Sequence, residues 1–176
     1  VMRPPVLWSA VMTLSLLPGE MVDLAASTNG GRALACSDMF FSPMNNLIAP
    51  GRGVNMGDGW ETKRRRGPGH DWLIVKLAGA GQIQRVLIDT CHFKGNFPES
   101  FMLEAVNTRR GDLTAADISW QPLIARTRLL AHTEHVFQSE IVDNQSQLTH
   151  VRLNIYPDGG VSRMRIWGYP ELSNDA

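Results

Sequence analysis

The chain has 176 residues, 43% of them hydrophobic, enough for one domain with a sizeable core. Seventeen Lys and Arg balance seventeen Asp and Glu, so the general basic field that attracts nucleic-acid phosphates is missing. Cys36 and Cys91 form neither a CxxC pair nor a disulfide framework. They read as free, buried thiols and point to neither structural zinc nor an oxidising compartment, so a cytoplasmic location is expected.

Residues 6–17, VLWSAVMTLSLL, superficially resemble a short signal segment, but no small-x-small cleavage site closes the run. Twelve residues are also too few for a helix to cross a bilayer, so residues 1–20 read as a linker or packing segment and no membrane partner is expected. MVDLA, the Thr28-Asn29-Gly30-Gly31 turn and RALACSDMFF then read as a hairpin followed by a loop. From residue 42 to about 70, prolines and glycines without helical periodicity predict one long irregular connection, a length uncommon unless functional.

DWLIVKL (71–77) predicts a buried strand, and GQIQRVLID (81–89), FMLEAVN (101–107) and SWQPLIA (119–125) repeat the pattern around turn-like RRGDLTAAD. LLAHTEHVF (129–137) suits a short helix or a strand. Toward the end, Val151, Leu153 and Ile155 share one face and Arg152, Asn154 and Tyr156 the other; a Pro-Asp-Gly-Gly turn leads to alternating Arg163, Met164, Arg165, Ile166 and Trp167, which reads as a hairpin. No segment sustains a 3.6-residue period. The expected architecture is an all-β antiparallel sandwich over 21–172, with 173–176 a frayed tail.

Two polar loops, GRGVNMGDGWETKRRRGPGHDW (51–72) and DTCHFKGNFPES (89–100), lie between apolar strands and suggest a pocket at one end of the sheet. Asp58, Glu61, His70, Asp89 and His92 supply the acids and bases that move protons near neutral pH. His132, His135 and His150 lack a recognised ligand spacing, so no metal set and no cofactor is assigned, although a divalent ion is not excluded. Arg64, Arg65 and Arg66 suit a carboxylate fork or a solvated face; Arg152, Arg163 and Arg165 suit an inward anion clamp or edge protection. Gly51, Gly53, Gly57 and Gly59 lack the GKS or GKT and the strand–helix context of a phosphate loop. Trp60 and Trp72 form a wall under the loop or anchor it, and for Trp72, which begins an apolar strand, anchoring is the reading.

The two loop blocks, together with VRLNIYPDGGVSRMRIWG (151–168), resemble the allantoicase (allantoate amidinohydrolase) family over roughly residues 22–169. The resemblance implies a jelly-roll β-sandwich similar to galactose-binding domains and hydrolysis of allantoate to ureidoglycolate and urea in purine degradation. Members of the family carry two such repeats. This sequence has one, most similar to the second, so a partner repeat or homo-oligomer is expected to bear on activity. Within that resemblance Arg66 and Arg165 are candidates for binding the substrate carboxylate. Asn96 and Thr90 are candidates for the ureido groups, Trp60 for a substrate wall, and Glu61, Asp89 and His92, with His70 second in rank, for proton transfer or water activation. The alternative is a non-catalytic ligand-binding or supporting repeat.

Overall fold

A computed structural model describes residues 19–143 and 145–171. The expectations for 1–20 and for the tail at 173–176 fall almost entirely outside them. In chain order the strands are β1 (Val22–Asp23), β2 (Arg32–Cys36), β3 (Trp60–Glu61), β4 (Asp71–Asp89), β5 (Ser100–Val106), β6 (Gln121–Arg128), β7 (Glu134–Phe137), β8 (Leu148–Tyr156), β9 (Gly160–Val161) and β10 (Arg163–Pro170). The described residues contain no α-helix, only short 3-10 turns at Ser27–Asn29, Met44–Ile48 and Met56–Asp58. None of these is long or apolar enough to cross a membrane.

The two apolar runs at 71–77 and 81–89 are halves of a single 19-residue strand, β4. Its first half pairs with β2 and β8, Leu73 facing Leu153; its second half pairs with β10 and β7, with Val86 between Ile166 and Phe137. Register with β8 jumps between Lys76 and Gly81, an irregularity that falls on the small residues Ala78, Gly79 and Ala80. One strand therefore serves two layers, β2-β4-β8-β5-β6 and β1-β10-β4-β7. A single apolar core lies between them. Val151, Leu153 and Ile155 enter it from one layer and Val86, Ile88, Met164 and Ile166 from the other, all fully buried. Each such side chain contributes about 1.5–3 kcal/mol of transfer free energy, so strict alternation on β8 and β10 fixes which face turns inward.

Both expected hairpins are corrected. β1 pairs with β10 and β2 with β4, because the Ser27–Asn29 turn, closed by Gly30 in the left-handed region (φ 111°), sends the chain across the sandwich. Likewise β8 lies between β4 and β5, and β10 between β1 and β4. The 157–162 segment carries the chain between layers and pairs its β9 with β3 on the way. LLAHTEHVF resolves into a turn followed by strand β7.

This crossing positions the site. Asp71 faces Ile155 near the end of β8, and Asp89 faces Arg163 at the start of β10, so both ends of β4 reach the rim where 157–162 crosses. The long connections before β4, after β4 and before β7 gather there.

Candidate functional site

The 46–58 segment is held over this rim by two arginines. Arg163 is buried and donates to the backbone carbonyls of Asn46, Gly51, Asp58 and Ser162. Its guanidinium also pairs with the Asp58 carboxylate at 3.1 Å. Arg165 donates to the carbonyls of Ala49 (2.9 Å) and Gly51 (2.7 Å) and lies 3.8 Å from Asp23. Burial pulls Arg165 below the usual guanidinium range, an effect that Asp23 opposes. Burial also raises Asp23, against hydrogen bonds from the backbone of Ile166 and Ala25 and the charge of Arg165. The inward arginines of β10 thus satisfy loop carbonyls that would otherwise be buried without partners.

The two polar loops do meet. His92 Nε2 lies 2.7 Å from the Gly53 carbonyl, and Asn96 Nδ2 donates to Glu61 Oε1 at 2.5 Å. Gly160 of β9 donates its N–H to the Asn96 carbonyl, tying this contact to the β3–β9 ribbon. Asp89, 1% exposed, accepts the Cys91 N–H at 2.8 Å, and its other oxygen is 3.8 Å from Arg52 Nε. Arg52 also reaches Glu134 at 3.2 Å while remaining largely exposed. Glu61, Asp89, His92 and Asn96 therefore belong to one rim.

A third loop completes it. Thr90 is fully buried; its hydroxyl donates to the Leu130 carbonyl (2.6 Å) and accepts the Thr133 N–H (3.0 Å). His132 donates its N–H to the Phe93 carbonyl, and its Nδ1 accepts the His92 N–H at 2.8 Å. His92 (φ 74°) and His132 (φ 49°) both occupy the left-handed region, sparsely populated for residues other than glycine. Such strain persists only where surrounding contacts over-determine it, as this cross-loop frame does. The frame brings donor atoms of Cys91, His92 and His132 within 4.8 Å of one another.

Other candidates lie elsewhere. His70 donates from Nε2 to Asn154 Oδ1 (2.9 Å) and rests against the Tyr156 ring, beginning a polar ladder that continues through Glu104 to Arg152. Arg66 is exposed in an open cleft of about 560 Å³ that it shares with Asp38, Lys63, Arg64, Arg65 and Asp71. Trp60 is fully buried with Nε1 donating to the Asp38 carbonyl, so its ring anchors β3 in the core. The thiols are free, Cys91 buried and Cys36 half-buried. Arg52, His132 and Glu134 entered no candidate site in the sequence reading. Only the pairing of β7 with β4 sets Glu134 opposite Asp89, and only the cross-loop frame brings His132 to His92.

Residues 22–171 match the allantoicase repeat family. A probable allantoicase of Pseudomonas aeruginosa is 52% identical over 161 residues, 90% of this chain and 48% of that protein. The allantoicase of Dictyostelium discoideum is 52% identical over 153 residues, 86% of this chain and 42% of that protein. The crystal structure of allantoicase from Saccharomyces cerevisiae superposes with a TM-score of 0.75 at 39% identity, over 88% of this chain and 45% of that one. The family 32 carbohydrate-binding module of C. perfringens NanJ, solved in complex with galactose, shares the fold alone, at a TM-score of 0.59 and 12% identity over 84% of this chain and 99% of that one. The chain spans about half the length of the curated relatives it matches. With the jelly-roll topology and the convergence of its two polar loops in place, the chain belongs to the allantoicase family, as one allantoicase repeat.

Proposed function

We propose that this repeat takes part in hydrolysing allantoate to ureidoglycolate and urea, with the reaction centred on the rim between Glu61 and His92. The observation that carries the reading is the meeting of the loops of a repeat about half identical to allantoicases: His92 on Gly53, Asn96 on Glu61. Allantoate bears a carboxylate and two ureido groups on one carbon. Hydrolysis joins a water oxygen to that carbon, breaks its bond to one ureido nitrogen, and returns a proton to the departing urea. Glu61, Asp89 and His92 form the proton-handling set, and the Asn96 amide orients the Glu61 carboxylate.

For the carboxylate, Arg52 replaces Arg165 in this reading. Arg165 spends its donors on Ala49 and Gly51, whereas Arg52 stands largely exposed beside Asp89 and Glu134, which it meets through Nε. Thr90 acts as a tie between loops, since its hydroxyl is engaged at both donor and acceptor. Arg66 and His70 serve outside this centre.

Urea release from allantoate is the test, measured for this chain alone and for a protein carrying both repeats. Glu61→Gln or His92→Ala in the active form should lower turnover by roughly 10²–10⁴-fold. Arg52→Ala should act mainly through KM. Unchanged turnover in the Glu61 and His92 variants would remove both from the chemistry. The second reading is a supporting or binding repeat without chemistry of its own, the sandwich fold being one it shares with a galactose-bound module. It predicts allantoate binding without urea release, or activity that appears only when the other repeat is added. A sugar-stacking version loses its platform, because the Trp60 ring is buried.

A further inference from the structure

The geometry points to a binding site for a thiophilic divalent cation, of the zinc class, formed by Cys91, His92 and His132. Their donor atoms lie within 4.8 Å of one another. In a tetrahedral site with metal–sulfur bonds of about 2.3 Å and metal–nitrogen bonds of about 2.0–2.1 Å, ligand atoms stand roughly 3.5 Å apart. Side-chain rotations on the order of 1 Å close the three donors on an ion of that size. Two neighbouring residues and one forty positions away supply the set, a pattern that no linear spacing rule describes.

The surroundings match the donors. The Gly53 carbonyl can only accept, so the contact at 2.7 Å places the proton of neutral His92 on Nε2 and leaves Nδ1 as a bare lone pair. A backbone carbonyl that fixes the ring in this way is the usual outer partner of a metal-bound histidine. His132 Nδ1 likewise presents a lone pair, since it accepts the His92 N–H at 2.8 Å; ligation exchanges that hydrogen bond for the cation. The left-handed backbones of both histidines are held by the Thr90–Thr133 and His132–Phe93 hydrogen bonds, so the donors are placed before any ion arrives. Burial falls across the set, from buried Cys91 through half-buried His92 to exposed His132. The fourth position therefore opens outward, to water or to an oxygen of a bound ligand. Asp89 accepts the Cys91 N–H, so a buried carboxylate stands next to the set, its charge partly offset by Arg52.

Cation binding does not depend on the hydrolytic reading, but that reading gives it a use: Cys91, His92 and His132 would hold the ion, which would supply Lewis-acid activation of water at this rim. The test is a Co²⁺ titration of the chelator-treated chain under reducing conditions, followed by absorption and by Zn²⁺ competition. One equivalent should bind with intense tetrahedral d–d bands and a thiolate-to-cobalt charge-transfer band, and Zn²⁺ should displace it. Cys91→Ser should abolish the charge-transfer band, and His132→Ala, at an exposed position, should weaken binding by more than about a hundredfold, beyond the loss expected from an outer-shell partner. Cys36→Ser should bind as the parent does. Weak octahedral spectra, or a charge-transfer band that survives Cys91→Ser and vanishes with Cys36→Ser, would overturn the site. Cobalt bound as described in a two-repeat protein that releases no urea would leave the cation site standing and remove the hydrolytic reading.

Discussion

His150 shows how a single buried imidazole sets a pH limit. It lies on β8, 5% exposed, with Nδ1 2.7 Å from the Thr149 hydroxyl and its backbone opposite Lys76. Burial first, and the Lys76 charge second, push its pKa below the usual 6.5. The unfolded chain then binds a proton that the folded chain refuses, so His150 contributes stability that is present above about 6.5 and lost as pH falls through the folded value. Denaturant midpoints between pH 7.5 and 5.5 should fall more for the parent than for His150→Gln. Equal slopes would show that the imidazole titrates alike in both states. At this scale the sequence identified residue types well and partners poorly. The alternation on β10 correctly set Arg163 and Arg165 on the face opposite Trp167's neighbours in the core, Met164 and Ile166. Whether that face met a ligand or loop carbonyls depended on where 46–58 crosses.

The β3–β9 ribbon is the element that couples fold to site. Gly160 faces the buried Phe93 ring so closely that a Cβ would overlap it, and its N–H holds the Asn96 carbonyl. Gly160→Ala should cost about 2 kcal/mol through overpacking. In a chain of this size that lowers Tm by roughly 4–8 °C. It should also displace Asn96 from Glu61, so a calorimetric scan and an activity assay should report the same substitution. A variant with parental Tm would mean that the Phe93 ring has room to move. The strand runs of β4, β5 and β8 were legible because continuous or alternating apolar residues of that length have few other uses. The pairing was not, since TNGG and PDGG reverse a chain equally well toward an adjacent strand or toward the opposite layer.

For the molecule as a whole, β4 is the shared member, flanked on both sides in both layers. Its amides near Leu73–Val75 and Val86–Ile88 open only when both layers separate, so in hydrogen exchange they should be the slowest and track global stability, while 51–58 exchanges faster. Faster exchange at one half of β4 than at the other would show that the layers open independently. The same sharing brings both strand ends to one rim, and with them the loops that carry Glu61, Asp89 and His92.

By itself the sequence determined the β class, the apolar face of each long strand, the family, and the two loops that carry the polar chemistry. Those properties follow from local periodicity and from long, unusual blocks of residues. Tertiary structure alone decided that Trp60 is core, that Arg165 serves a loop, and that His132 stands against His92. Each of these depends on which segments the crossings between layers bring together, and contacts between residues forty or a hundred positions apart leave no local trace in the chain.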